Sequence, residues 1–597
     1  MKKHAFGIDL GMTTSSICIF ENGHYDIIAD KKNQKYIPSA VYYYKENDQL
    51  EISVGDFALK YQSLYPKSII YDTKRMLGRR YENSSIQSMV EKWPFEIERS
   101  ENESILIKPE NSEKKMEPYE VSGEILKYLI KVGNLRFPPE EQTNDVVITI
   151  PANFGDSQRS ETLKAADYAK LHVLQIINEP TSAAIAYGIQ MGSQATKPSH
   201  VFIFDFGGGT LDVSLLSIEK NTFKVIGTDG DMYLGGRDFD EKLCDYLVDK
   251  MNLGESFRKD PKKMCNLRKA AVEAKIQLSN CESAVVLFDV DDEEHEYEIT
   301  YSEFEEVNSE YIEKVLIPVE KILAKTEISI DLIDEVILVG GFSRMQFVKR
   351  ILTDYFHKEP YDGINPLDAV VTGAAIVAAK IIQGENLPKM INDIKYIDIC
   401  PFSIGTLTVD GTIDVLIPKD TIIPIMKKEH YHTVLYKQES FVVYIYEGEN
   451  KYAKDNRHLG NFELKLPPSE NEISFTISFS LNANCILSAE ARIEDTDVSA
   501  GIEIDTIKTK PSGVEFKELN MAEVFFENIL RFINLNMESF KKEYKQYEID
   551  DLIEEARMKR NQQFNDEFDM MENIKSWRDV MFVEYFQKHP LPAFLNY

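Results

Sequence analysis

Up to about residue 380 the chain alternates short apolar runs with stretches of helical period. Val146–Ile150, Val201–Phe204 and Val336–Val339 are short apolar runs, the first holding one polar residue, Thr149, and they predict buried strands. Ser157–Leu171, Phe239–Met251 and Leu267–Leu278 read as helices. Strands and helices in alternation predict an α/β domain. After Gly384 the pattern changes, with a hinge expected at Glu385–Pro388. Phe462–Leu466 and Ile473–Leu481 alternate apolar and polar residues without a fault, as half-buried antiparallel strands do. From Leu519 to the last residue there is no glycine, and apolar residues recur at three-to-four spacing, which predicts a helical tail.

A chain of 597 residues is too long for one hydrophobic core, so several domains are expected. Its 99 acidic residues against 68 basic ones give a formal charge of −31. That balance argues against a nucleic-acid binder, which needs a basic face to displace counterions. Cysteines 18, 244, 265, 281, 400 and 485 form no Cys-x-x-Cys pair, which argues against a zinc site or disulfide framework and for a reducing compartment. No apolar run has the length of a membrane span, and no apolar segment follows Met1-Lys2-Lys3, so neither a span nor a signal peptide is expected.

Two segments carry matching chemistry. Phe6–Thr14 is an apolar strand ending in Asp9, with Gly11 two residues on and Met12, Thr13 and Thr14 beyond. Phe202–Thr210 repeats this with Asp205, Gly207, Gly208, Gly209 and Thr210. Each is followed by another apolar run, Ile17–Phe20 or Val213–Ile218, so each reads as a hairpin with a glycine-rich tip. Glycine lets backbone N–H groups approach phosphate oxygens with no Cβ in the way. A carboxylate at the strand end suits a hydrated Mg2+, which keeps several of its waters. One such tip is an ordinary tight turn; two at equivalent places predict two similar lobes facing across a nucleotide cleft. No Gly-Lys dipeptide occurs, which excludes a Walker A loop. A third glycine element, Gly340–Arg344, follows the strand Val336–Val339.

Taken together, these residues resemble the seventy-kilodalton heat-shock chaperone family of the DnaK type. The resemblance is carried by Gly7–Gly11, Asp72–Arg79, Trp93–Phe95, Ile150–Arg159, Ile177–Gly188, Asp205–Asp212, Leu234–Asp240 and Leu338–Arg344, then by Tyr446–Glu449 and Asp455–Gly460. It implies a multidomain chain: an actin-like two-lobed α/β ATPase at 1–384, a linker at 385–398, an antiparallel β-sandwich peptide-binding domain at 399–508 and an α-helical lid at 509–597. It implies ATP and Mg2+ as cofactors, with K+ as a further candidate. Its roles map onto Asp9 and Asp205 as holders of the magnesium's water shell, and onto Lys74, Glu179, Asp212 and Thr210 as catalytic groups around the γ-phosphate and its attacking water. Gly11, Met12, Thr13, Thr14 and Gly207–Thr210 would cradle the phosphates. Lys275, Ser279, Gly340, Gly341, Arg344 and Asp368 would face the adenosine. Pro151 and Arg159 resemble a relay to the linker. Ile404, Val409, Tyr431, Val434, Phe441 and Val443 would line the peptide site.

Several positions depart from the family pattern. Met12 replaces a threonine of the first loop, Val272 a ribose-holding glutamate, and Phe342 a small hydroxyl residue beside the adenine. Together they predict weaker nucleotide binding and slower hydrolysis. Asn153, Gly155 and Lys395 alter the J-protein docking face and the linker. Phe441 stands where valine is typical of the central peptide pocket, which predicts a narrowed client preference.

The resemblance thus implies a cytoplasmic, ATP-driven clamp on unfolded or extended polypeptides, a folding chaperone served by a J-domain co-chaperone and a nucleotide exchange factor. A second reading is a nucleotide-binding co-chaperone or exchange factor with little ATPase activity. A third, a small-molecule kinase of the same two-lobed fold, has no use for the β-rich region after residue 399.

Overall fold

A computed structural model describes residues 4–101, 103–191, 198–291, 293–408, 411–433, 440–467 and 473–503, with 553, 554 and 558. The helical tail expected from Leu519, and the lid expected at 509–597, lie almost wholly outside the described residues. The chain divides into two compact units, the first made of residues 1–401 with 483–485 and the second of the remainder.

The first unit is built on two sheets of the same design. In one, Phe6–Asp9 pairs parallel with Asp145–Ile150 and antiparallel with Thr14–Glu21. His172–Asn178 and His24–Ile27 extend it on either side. In the other, Ser199–Phe206 pairs parallel with Ile333–Val339 and antiparallel with Leu211–Glu219, and Thr222–Asp231 follows. The expected hairpins are both present, and Asp9 and Asp205 end equivalent strands. Of the three apolar runs read as strands, Val146–Ile150 and Val201–Phe204 lie in interior strands and Val336–Val339 in the end strand of its sheet, with Val201 to Phe204 fully buried. Covered faces on both sides explain why their pattern does not alternate.

Two helices, Glu179–Met191 and Ala369–Gln383, pack on each other and on the first sheet. Their crossing depends on Gly373: a Cβ there would stand 1.8 Å from the Ser182 carbonyl oxygen. The small residues of Ala369–Ala379 therefore serve close backbone approach. The predicted helices appear as Asp156–Tyr168, Gly236–Lys250 and Pro261–Leu278. The last begins earlier than its apolar period, because Asp260 caps it through Lys262 and Lys263 and Pro261 fits its first turn.

The hinge expected at 385–388 is compact: a 3-10 turn, Gly384–Asn386, leads to the short helix Lys389–Asn392. Lys395–Ile399 then pairs parallel with Thr222–Lys224 as a further strand of the second sheet.

The second unit holds two four-stranded antiparallel sheets. One contains Ile413–Ile417, Ile404–Leu407, Ser440–Glu447 and Arg457–Lys465. The other contains Ile425–His432, Ser474–Leu481, Leu487–Ile493 and Ser499–Glu503. The alternation read at 473–481 is realised: Phe475, Ile477, Phe479 and Leu481 are buried, and the residues between them are half-buried.

Candidate active site

The two glycine tips meet across a cleft in the first unit. Asp9, Gly11, Met12, Thr13 and Thr14 line it from the first hairpin, and Asp205 and Gly207–Thr210 from the second. Gly340 and Gly341 also line it. Gly340 has φ +81°, and a Cβ there would stand 2.6 Å from the Phe206 carbonyl oxygen, so only glycine fits this turn.

Lys74 sits at the start of a short helix, Thr73–Met76, and donates to Glu179 Oε1 at 2.7 Å. Both side chains are about one-tenth exposed. Burial works against the Lys74 charge, but Glu179, Asp9 and Asp205 offset it and hold its pKa above the usual lysine value. The carboxylates outnumber this ammonium. Asp9, which accepts from Thr149 Oγ1 at 3.1 Å, is pushed up to about 6 by burial and then by Glu179. Asp212, which accepts from Asn153 Nδ2 at 2.9 Å, is pushed up to about 7 by burial and then by Glu179. Asp205 is raised well above the carboxylate range by burial, Glu179, Asp212 and Asp9. Four buried acids around one lysine need further positive charge to remain ionised together. This excess fits a divalent cation. Among the described residues no group of three or more His, Cys, Asp or Glu side chains is placed to hold a metal ion directly.

The first loop rests on the second. A Cβ on Gly208 would stand 2.3 Å from Thr13 Cγ2, and one on Gly209 would stand 2.3 Å from Met12 Cε. Arg75 spans the same gap: its guanidinium donates to the Gly209 carbonyl oxygen at 3.0 Å and to both oxygens of Asp238 at 3.2 and 2.7 Å. Beside it Arg237 pairs with Asp72 at 2.8 Å and lies over the Tyr71 ring.

The residues expected to face the adenosine have the following surroundings. Lys275, Ser279, Arg344 and Asp368 do not line the cleft described above. Lys275 pairs with Asp240 at 2.6 Å and stands over the Phe342 ring. Ser279 donates to the Ile276 carbonyl oxygen, and Arg344 to Asn365. Asp368 accepts from the Tyr36 hydroxyl. Phe342 is buried against Phe206 and Phe239.

Sequence reasoning missed Tyr36, Arg75, Arg79, Phe154, Gln158, Met232 and Tyr233, which also line the cleft. Arg75 and Arg79 lie inside the Asp72–Arg79 motif, and Phe154 and Gln158 inside Ile150–Arg159, so those motifs were the available signal. Tyr36, Met232 and Tyr233 lie in none of the motifs above.

Away from the cleft, Arg159 donates to the Phe154 carbonyl oxygen at 2.9 Å and to Asn178 Oδ1 at 3.0 Å. Asn178 and Thr181 in turn donate to Asp398 at 2.7 and 3.2 Å. In the second unit Ile404 and Val443 are buried, and Tyr431 and Phe441 both stack on Phe475. Val409 and Val434 lie outside the described residues.

The family model described as Hsp70 protein matches residues 5–581. The chain belongs to the Hsp70 family. Across 92% of its length it is 34% identical to the chaperone protein dnaK of Cyanidioschyzon merolae, covering 87% of that protein. It is 36% identical over 87% of its length to a ribosome-associated molecular chaperone of Eremothecium gossypii, covering 85% of it. It is 35% identical over 86% of its length to the heat shock 70 kDa protein of Emericella nidulans, covering 80% of it. Hsp70 proteins are ATPase chaperones that act on unfolded polypeptides with co-chaperones, and this chain is a molecular chaperone of that family. Among its described residues, no helix is long and apolar enough to cross a membrane.

Proposed function

We propose that this Hsp70 chaperone hydrolyses ATP in the cleft between its two glycine tips and couples that step to binding and release of extended apolar segments. The observation that carries the reading is the buried Lys74–Glu179 pair, set among Asp9, Asp205 and Asp212 beside both tips.

The bound nucleotide and its Mg2+ would supply the transferable phosphoryl group and the charge that neutralises it. The chain's own part is positioning. The N–H groups of Gly208, Gly209 and Thr13 hold phosphate oxygens, and Gly207, whose N–H is donated to the Thr210 carbonyl oxygen, closes the turn. Asp9 and Asp205 orient the metal's waters. Lys74 places the attacking water, Glu179 holds Lys74 and polarises that water, and Asp212 and Thr210 complete the shell. Residues 1–384 act as the ATPase, 385–398 as the linker, 399–508 as the peptide domain and 509–597 as its lid. The Arg159–Asn178–Asp398 chain of hydrogen bonds would pass a change near Pro151 to the linker strand. A J-domain protein and an exchange factor would set the pace of the cycle in the cytoplasm.

The test is single-turnover ATP hydrolysis by the full chain, with and without an apolar peptide. Peptide-stimulated hydrolysis that disappears in Lys74→Met is the expected result. Tight ATP binding with no hydrolysis would overturn the reading and favour a nucleotide-binding exchange factor.

A further inference from the structure

The strand Ser440–Glu447 turns Phe441, Val443 and Ile445 toward the same face, and Val443 and Ile445 are buried. Phe441 is half-buried at the end of that row and faces Leu464 across the ladder. Its ring stacks on Phe475 of the other sheet, with centroids 3.9 Å apart and planes within 26°. Phe475 is buried and is itself the ladder partner of Tyr431, whose ring stacks on it at 5.9 Å. The Tyr431 hydroxyl then donates back to the first sheet, to Asp414 Oδ2 at 2.7 Å. Three rings and one hydrogen bond therefore tie the two sheets together at this point.

We infer that this aromatic column fills the central side-chain pocket of the peptide site and selects extended segments whose central residue is small: glycine, alanine or serine. The inference rests on the peptide-clamp reading and names the substrate class of that site. Rings at this spacing are already at van der Waals contact, which leaves no room for a third group between them. A leucine side chain would have to displace Phe441 from Phe475. Phe475 is held in place, because Tyr431 stacks beside it and is anchored to Asp414. A segment with a small central residue lies across the column without moving it, held through backbone hydrogen bonds as an added extended strand is held. Selectivity arises from exclusion of the bulky competitor rather than from a new attraction.

The experiment uses the full chain and fluorescent heptapeptides identical except for a central leucine, alanine or glycine, followed by anisotropy. The alanine and glycine peptides should bind about tenfold more tightly than the leucine peptide, a factor of the size that one misfit apolar group commands. The double variant Phe441→Val, Phe475→Ile should reverse that order. Phe441→Ala alone, which leaves the buried ring in place, should narrow the gap. Equal or tighter binding of the leucine peptide by the unaltered chain overturns the inference and leaves the clamp intact. An unchanged order in the double variant does the same. If no peptide binds the unaltered chain or any variant, the clamp reading fails, and the inference with it.

Discussion

The Met12 side chain lies across the backbone of Gly209, so the first glycine tip touches the second through a thioether. A sulfur and a methyl group there donate no hydrogen bond to a phosphate oxygen or to an ordered water. Met12→Thr should therefore raise the single-turnover hydrolysis rate by about fivefold, the worth of one hydrogen bond of about 1 kcal/mol. Rapid-quench measurement with pre-bound ATP checks it; a rate that stays level would mean that Met12 only packs.

Lys74 and Glu179 hold each other in a buried setting. Lys74→Met should lower the hydrolysis rate by about a hundredfold or more, as loss of one preorganised charge does. It should also cost about 3 kcal/mol of stability in the nucleotide-free chain, because Glu179 is left buried and unpaired. Lys74→Met with Glu179→Gln should regain much of the stability and none of the activity. Urea unfolding of the three proteins separates the two effects.

Arg75 joins the lobes through Asp238 and the Gly209 carbonyl oxygen. Lysine keeps the charge but not the fork that reaches all three acceptors. Arg75→Lys should speed ADP release about tenfold, equivalent to about 1.4 kcal/mol of lost closure. Stopped-flow release of a fluorescent ADP analogue measures it.

Burial raises the pKa of Asp398 above the ordinary aspartate value, against the opposing pull of its own strand N–H, Arg159, Thr181 and Asn178. The folded strand Lys395–Ile399 thus binds this proton more tightly than the unfolded chain does. Its contribution is fully present below about pH 4 and is lost as pH rises through the folded value. Amide exchange of Lys395–Ile397, corrected for intrinsic rates, should show protection falling with pH in the nucleotide-free chain. Asp398→Asn should flatten that profile.

The paired hairpins were legible because each combines a buried apolar strand with glycines and one carboxylate, a local pattern needing no distant partner. The alternation at 473–481 likewise announced its inward face. Phe475 was not legible as a partner of Phe441: period-2 spacing says which way a side chain points, not which ring lies opposite on another sheet. Lys275 shows the same limit. Its helix could be read, but its pairing with Asp240 follows from how two helices pack.

By itself the sequence determined the family, the two glycine-tipped hairpins, the α/β architecture of the first unit and the antiparallel β region. These are written in residue type and short-range period, where backbone geometry and burial leave few choices. Only the tertiary structure decided that Met12 rests on Gly209, that Arg75 bridges the lobes, that Lys275 turns to Asp240 and that two phenylalanines close the space between the β sheets. Each is a contact between residues far apart in the chain, and close packing alone settles which side chains share a space.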